Sequence, residues 1–315
     1  MAAMSRRYGT TESFGGFEVV QWTPGDPLGD PDTQIHRLST DYEGDQTWAE
    51  LLGLYLQQPG AAQMQGLVVG YWSNDILMDA DPDSELVQPL LAAAPHLPRM
   101  CVLLINDISS EESEVSWIEN ANLTPLVHAF AHLTHLGIRG GNRLELPDLR
   151  AASLQTLIIE AGGLSAELVR QVMQADLPEL RHLELYLGTE EYGASNAAED
   201  LTPLLDGQRF PELRYLGLKN SDHQDQIAQI LASAPVVRQL EVLDLSMGVL
   251  TDEGAQALLD STQLGHLNRI DLHFHWLSDG MVARLQAWAA AQGTELDVSG
   301  QQGSEDEWRY VALGE

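Results

Sequence analysis

Short alternations of apolar and polar residues recur along the chain at intervals of 21 to 36 residues. Looser copies lie at 64–69 and 100–105, and a shorter one ends the series at 294–298. Because alternate side chains of a strand point to opposite faces, each copy predicts a β-strand with its leucines on one face. Six copies fit the pattern LxxLxL and start at Leu133, Leu154, Leu180, Leu213, Leu240 and Leu267.

Between the predicted strands, the apolar spacing changes from two to nearly four residues, which predicts helices. Thr251 and Ser278 are suited to cap helices that begin with acidic residues, and Ser165 is suited to cap another. A strand followed by a helix at this period is typical of leucine-rich repeats. The sequence therefore predicts an α/β fold, a right-handed leucine-rich-repeat solenoid of about nine repeats, with a parallel concave sheet and outer helices.

The ends of such an open stack need caps, because its first and last cores would otherwise be exposed. Short strands over 17–22 and 35–40 and a helix over 48–58 predict a small α/β cap at the start. The segment 307–314 predicts a final capping strand. The predicted divisions are the N-terminal cap 1–60, the solenoid 61–300, and the capping strand and tail 301–315.

Residues between the leucines of each strand are predicted to face the concave surface, where equivalent positions of neighbouring strands form ladders. The middle ladder ends in three aspartates on adjacent strands. Like charges this close repel by about 1 kcal/mol in water, so a fold gains no stability from such a row. The candidate binding residues of this surface are Asp244, Asp271, Asp297, Arg269, His273, Glu184, Tyr186, Tyr215 and Lys219.

Three interpretations of the aspartate row stay open from the sequence. The row is a solvated acidic strip with local ion pairs to Arg269, Lys219 or His273, or it recognises a basic or hydrogen-bond-donating partner. As a third interpretation, it is a divalent-cation or catalytic carboxylate site. Tyr186 and Tyr215 favour recognition slightly, because a tyrosine buries a large area at a low cost in entropy.

The stretch from Asp271 through His273 to His275 has a spacing that a metal site also uses. On a strand the first two share a face, whereas His275 falls where leucine-rich repeats place an inward asparagine. His275 is therefore predicted to be a buried hydrogen-bonding partner of the backbone, and no metal ligand set is predicted. No asparagine ladder is predicted, because the corresponding positions hold Gly141, Gly188, Ser221 and Gly248.

The composition narrows the classes of partner. The 47 acidic and 16 basic residues give a formal net charge of −31, so nucleic acid and anionic lipid are repelled. The single cysteine, Cys101, excludes an internal disulfide framework and fits a cytoplasmic location. We find no apolar run of membrane-spanning length, no secretory signal and no GxSxG, HExxH, CxxC or Walker motif.

Two long acidic loops add further candidates for contact. The loop 106–125 contains Trp117, and the loop 188–203 contains Tyr192. Long ordered loops in repeat proteins are often functional, so each is predicted to be either a docking lip for a partner or an insertion that covers the sheet edge.

Several stretches resemble an uncharacterised family of bacterial cytoplasmic leucine-rich-repeat proteins. The likeness runs from about residue 14 to the last residue of the chain. It implies the repeat fold and, because such relatives are encoded beside radical-SAM-like and ATP-grasp-like proteins, an accessory role in a modification pathway. It supplies no catalytic residues. The stretches that carry it lie at 109–119, 176–188, 243–259, 271–279 and 308–315.

The function predicted from the sequence is a non-enzymatic scaffold that binds a protein or peptide of basic character on its concave face. No cofactor, nucleic acid or membrane is predicted to take part. The alternative is a metal-binding or hydrolytic accessory protein with its site at Asp244, Asp271, His273 and Asp297.

Overall fold

The computed structural model describes residues 4–7, 9–41, 44–73, 80–303 and 308–314, and within them thirteen strands form one sheet. The strands lie side by side in chain order. The first three pair antiparallel, and the pairs formed by later strands are parallel. The strands are β1 Met4–Arg7, β2 Thr10–Phe14, β3 Phe17–Gln21, β4 Gln34–Leu38, β5 Gly66–Val69, β6 Val102–Ile105, β7 His135–Arg139, β8 Thr156–Glu160, β9 His182–Gly188, β10 Tyr215–Ser221, β11 Val242–Asp244, β12 Arg269–Asp271 and β13 Glu295–Asp297.

Helices separate many of the strands, as the change of period predicts. The hydroxyls of Thr251, Ser278 and Ser165 each accept a hydrogen bond of 3.1 to 3.2 Å from a backbone N–H in the first turn of the helix that follows, so the three predicted caps are confirmed. Among the described residues, no helix is long and apolar enough to cross a membrane. The α-helices are α1 Trp48–Leu56, α2 Gln88–Ala93, α3 Thr124–Ala129, α4 Ala166–Gln174, α5 Thr202–Leu205, α6 Gln224–Leu231, α7 Asp252–Asp260 and α8 Asp279–Gln292.

The predicted strand positions are confirmed, since each copy of the leucine pattern coincides with one of the strands β5 to β13. The predicted strands and helix near the start are confirmed as β3, β4 and α1. By compactness the chain divides into two units. The first holds the described residues up to Glu160 with Ala175–Leu177, and the second holds Ala161–Gln174 and Pro178–Gly314.

In the first unit, the hairpin of β1 and β2 covers one face of the sheet. Phe14, at the end of β2, is fully buried in an apolar cluster with Val68, Leu104 and Ile158. Its ring meets His135 edge-on, with ring centroids 5.9 Å apart. Val68, Leu104 and Ile158 occupy the ladder that was expected to face solvent, so that expectation is wrong for this unit. The face is part of the core, because the hairpin supplies an apolar surface to cover it.

In the second unit, the leucine positions form the core beneath the sheet. Leu183, Leu216, Leu243 and Ile270 pair in register across β9 to β12, and each is at most 2% exposed. Since these side chains point to one face, the residues between them point to the other. That second face carries the charged candidates.

The predicted final strand is absent from residues 308–314; Glu307, where the prediction began, lies outside the described residues. Residues 308–314, which we call the strap, instead cross the ends of three strands. The backbone N–H of Ala312 donates to the carbonyl of Met247 beyond β11, and the indole N–H of Trp276 beyond β12 donates to the carbonyl of Tyr310. A chain that runs across strand ends cannot extend the sheet at its edge, which is why the prediction fails.

Candidate functional site

The strand register places the predicted aspartate row as expected. Asp244 pairs with Asp271, and Asp271 pairs with Asp297, on three adjacent parallel strands. We define the acidic face by the charged and aromatic side chains around this row. Its central cluster is His182, Glu184, Tyr186, Tyr215, Lys219 and Asp244, and its outer cluster is Arg269, Asp271, His273, Glu295 and Asp297.

About half of this face is buried, so the interpretation of the row as a solvated acidic strip does not fit its inner part. Glu184, Asp244 and Asp271 are 8%, 2% and 8% exposed. These carboxylates lie on neighbouring strands beside the longer side chains of Tyr215, Lys219 and the histidines, which cover them. These three buried carboxylates are therefore stabilised by specific partners rather than by water.

Lys219 links two of the buried carboxylates. Its ammonium nitrogen lies 3.1 Å from Glu184 Oε1 and 3.1 Å from Asp244 Oδ2. It also donates to the hydroxyl of Tyr186 at 3.4 Å and lies 4.9 Å from the centre of that ring. Because the side chain is only 8% exposed, these groups replace its hydration shell.

Tyr215 and His182 complete the central cluster. The phenol of Tyr215 donates to Asp244 Oδ2 at 2.6 Å, and His182 Nε2 lies 3.1 Å from Glu184 Oε2. The two rings stack with centroids 3.9 Å apart and planes 11° apart. The carboxylates of Glu184 and Asp244 thus each hold two side-chain partners, so the cluster is internally satisfied.

The pKa values of Glu184, Lys219 and Tyr215 keep these three groups in fixed protonation states at neutral pH. Burial alone would raise the pKa of Glu184, but the hydrogen bond from His182 and the charge of Lys219 outweigh it and hold this pKa at about 2. Burial would lower the pKa of Lys219, but the pull of Tyr186, Glu184 and Asp244 raises it well above its ordinary value. Burial and the nearby carboxylates raise the pKa of Tyr215, so it stays a donor.

Acid is expected to destabilise the protein through Glu184. Its folded pKa of about 2 lies below its ordinary 4.5, so the stabilisation is complete above pH 4.5 and is lost as the pH falls towards 2. A shift of this size corresponds to about 3 kcal/mol in the free energy of unfolding. Urea unfolding at several pH values between 5 and about 2.5 should show that acid lowers the free energy of unfolding less for Glu184→Gln than for the wild type. Equal losses would contradict the low pKa of Glu184 in the folded protein.

The outer cluster shares one guanidinium among three carboxylates. Arg269 lies 2.8 Å from Asp271, 2.9 Å from Glu295 and 3.6 Å from Asp297. The side chain of Glu295 is 68% exposed and that of Asp297 is 34% exposed. Because one positive charge faces three negative ones, the outer cluster presents surplus acidity to solvent.

His273 extends the outer cluster from the same strand. Its Nδ1 lies 2.7 Å from Asp271 Oδ1, and this hydrogen bond raises the pKa of His273 above its ordinary value of 6.5. Burial would raise the pKa of Asp271, but bonds from His273 and Arg269 hold it at about 2. The stabilisation from protonated His273 is therefore present below pH 6.5 and is lost as the pH rises through its folded pKa.

Three groups of the outer cluster could hold a metal ion by geometry. Asp271, His273 and Asp297 each offer a ligand atom, and these atoms lie within 4.8 Å of one another. The guanidinium of Arg269 already contacts both of these carboxylates, so it supplies the positive charge that a cation would supply. A metal ion would have to displace or share that position.

His275 is a buried backbone partner, as the sequence predicts. It is fully buried, its Nε2 lies 3.0 Å from the carbonyl oxygen of Val298, and its Nδ1 accepts from the N–H of Leu277. Burial lowers its pKa, so it stays neutral. It therefore takes no part in the acidic face.

Sequence reasoning missed the buried asparagines that bond the backbone elsewhere. Asn120 donates to the carbonyls of Arg139 and Gly140, and Asn196 donates to those of Leu164 and Leu187. They lie in the loops after strands rather than at the aligned repeat position, so aligning the repeats did not identify them. An asparagine within a loop that follows a buried strand could have predicted such backbone bonds.

The two acidic loops are packed against the units that carry them. In the loop 106–125, Ile118 is fully buried while Trp117 is 57% exposed. In the loop 188–203, the buried Asn196 anchors the chain through its two backbone bonds. An exposed tryptophan on an anchored loop remains a candidate contact for a partner.

Together these features define a strand-and-helix repeat protein with a single, mostly parallel sheet. No protein-family model matches the chain, and no curated protein matches it. A crystal structure of a protein from Bacteroides fragilis, determined by a structural genomics consortium, is similar, with a TM-score of 0.78 and 30% sequence identity. The similarity covers 88% of this chain and 76% of the other. The chain belongs to the same family as that B. fragilis protein.

Proposed function

We propose that the protein is a leucine-rich-repeat solenoid of about nine repeats that binds a basic protein or peptide and has no catalytic role of its own. Successive strands from β9 to β13 begin 33, 27, 27 and 26 residues apart, which supports the leucine-rich class. An accessory role in a modification pathway is part of the proposal, and it rests on the family resemblance alone.

The main support for the proposal is the surplus negative charge of the acidic face. Its five carboxylates face two permanent cations, Lys219 and Arg269, which leaves three negative charges when the histidines are neutral. The unbalanced groups are those at the outer end, where Glu295 and Asp297 are the most exposed. A partner with lysine or arginine side chains would relieve this imbalance.

The central cluster supports a binding role over a catalytic one. A general base or nucleophile needs an available lone pair near neutral pH. Lys219 is held protonated, Tyr215 is held as a donor, and Glu184 is engaged by two cationic or polar neighbours. These groups act as a rigid platform that fixes β9, β10 and β11 beside the outer cluster.

The proposal is tested by partner capture with Glu295→Gln/Asp297→Asn. This variant removes the two least buried acidic charges of the face and leaves the central cluster intact. The identified partner should bind it about tenfold more weakly or worse, and the wild-type affinity should fall as salt rises. Native capture followed by calorimetric titration of the partner measures both effects.

A matched control removes two acids from the opposite layer. Glu253→Gln/Asp260→Asn changes the same net charge on α7, where both residues are exposed. It should leave the affinity nearly unchanged. Equal loss in the two variants would mean that only the net charge matters, and no loss in either would overturn the proposed surface.

A metal-binding or hydrolytic accessory protein is the second candidate, favoured by the proximity of Asp271, His273 and Asp297. Titration of the native protein with Zn²⁺ or Mn²⁺ separates the two. Stoichiometric uptake of the ion that Asp297→Asn abolishes would support the metal site. We expect no uptake, because Arg269 already contacts the carboxylates of Asp271 and Asp297.

A further inference from the structure

The strap is held by backbone hydrogen bonds and by the side chain of Tyr310, whose ring meets Phe274 and Trp276 edge-on and whose hydroxyl donates to Gln302 Oε1 at 3.1 Å. Besides the bonds of Tyr310 and Ala312, the side-chain amide of Asn220 donates to the carbonyl of Leu313 at 2.5 Å, and its Oδ1 accepts from the N–H of Leu313 at 2.8 Å. A two-way bond to one residue's backbone resembles the pairing of a neighbouring strand. Such contacts depend little on the side chains of the strap.

The strap spans the strand ends at the spacing of an extended peptide. It contacts Trp276 beyond β12, Met247 beyond β11 and Asn220 at the end of β10, in reverse chain order. Two strand spacings amount to about 9.6 Å, and the three steps from Tyr310 to Leu313 of an extended chain cover about 10 Å. One short segment, with a bend of its backbone at Ala312, is therefore long enough to cross three repeats.

Two of the residues that bind the strap have a backbone conformation set by the turns at the strand ends. Asn220 and Met247 adopt left-handed backbone conformations, with φ of 57° and 70°. The equivalent positions Gly140 and Gly300 use glycine for the same conformation. Asparagine at 220 thus adds a side chain where the turn alone needs none, and that side chain is fully buried against the strap.

Little of the strap is buried. Val311 is 7% exposed, whereas Trp308 is 84% exposed and Tyr310 is 54% exposed. One buried aliphatic side chain, the edge-on contacts of the Tyr310 ring and a few hydrogen bonds make a contact that can open without unfolding the sheet. The strap has the features of a bound linear ligand rather than of an integral repeat.

We propose that the strand-end groove formed by Asn220, Met247 and Trp276 is a peptide-binding site, and that the strap is its intramolecular occupant. The external partner is an extended peptide with an aliphatic residue followed by a small one, like Val311 and Ala312. None of the groove residues belongs to the acidic face, so this proposal stands independently of the proposed function.

The test uses the full-length chain and a labelled peptide with the sequence of residues 308–315. In the wild type the strap competes at an effective concentration of roughly millimolar, so the peptide should bind weakly. Val311→Asp releases the strap and should strengthen peptide binding about tenfold or more. Adding Asn220→Gly, which suits the left-handed conformation, should abolish that gain. Fluorescence anisotropy measures all three affinities.

Two results would overturn the proposal. One is a Val311→Asp protein that remains folded by circular dichroism yet binds the peptide no more tightly than the wild type. The other is a wild-type dimer that dissociates into monomers when the peptide is added, which would assign the groove to the strap of a second copy.

A second measurement covers the case in which Val311→Asp does not fold. In wild-type hydrogen exchange, the amides of Ala312 and Leu313 should exchange at least about 100-fold faster than those of β10 and β11, because the strap opens locally. Equal protection would show that the strap is a fixed part of the sheet and would overturn the proposal.

Discussion

Replacement of Lys219 by methionine is expected to lower the free energy of unfolding by about 3 to 5 kcal/mol. Methionine retains much of the side-chain volume but removes the charge that lies 3.1 Å from both Glu184 and Asp244. Two carboxylates then remain buried without their cation, which is a severe penalty in a site of low polarity. Urea unfolding of the purified variant measures the loss.

Two comparison variants make this expectation specific. Arg269→Met removes an ion-paired cation that is 38% exposed, and it should cost no more than about 1 kcal/mol. Lys219→Met/Glu184→Gln/Asp244→Asn neutralises the whole group and should recover much of the loss, since no buried charge is left unpaired. If Lys219→Met costs as little as Arg269→Met, the central cluster is not the electrostatic support of β9 to β11.

Substitution of Gly188 by alanine is expected to cost about 3 kcal/mol or more, because two penalties combine. Gly188 has a φ of 75°, and a Cβ there would lie 1.8 Å from the carbonyl oxygen of Gly162 and 2.3 Å from the Cα of Gly163. Both obstacles are backbone atoms, so neither can rotate away. Thermal and urea unfolding of Gly188→Ala measure the effect.

Gly293→Ala is the matched control for Gly188→Ala. Gly293 ends α8 with a φ of 77°, but a Cβ there would meet nothing within 4 Å. Its cost should be that of the conformation alone, about 1 kcal/mol. Similar losses at the two glycines would show that the close approach of the backbone at Gly162 and Gly163 adds nothing to the cost at Gly188.

The strand positions were predictable from the sequence because the leucine pattern reports burial directly. Leu216 and Leu243 are buried because their own spacing places them on the core face. The register of Asp244 with Asp271 also followed from aligning the repeats. The covering of the first unit's face by Phe14 did not follow, because no periodic signal links an early hairpin to strands beyond residue 100.

The environment of the acidic face could not be predicted, since it depends on which side chains from different strands meet. The sequence identified Glu184, Lys219 and Asp244 as candidates. They are buried together because Lys219, on β10, contacts Glu184 on β9 and Asp244 on β11. Glu184 lies 35 residues before Lys219 in the chain. The strap was missed for a related reason: apolar residues in 307–314 predict a strand equally well whether they pair along an edge or lie across strand ends.

The most direct test of the account compares the affinity of the captured partner for two variants of the acidic face. Lys219→Met/Glu184→Gln/Asp244→Asn should keep an affinity within about threefold of the wild type, whereas Glu295→Gln/Asp297→Asn should lose about tenfold or more. That result would place recognition at the exposed outer cluster and support at the buried central one. A folded triple variant that loses the partner, beside a double variant that keeps it, would contradict the account and make the Lys219 cluster the binding site.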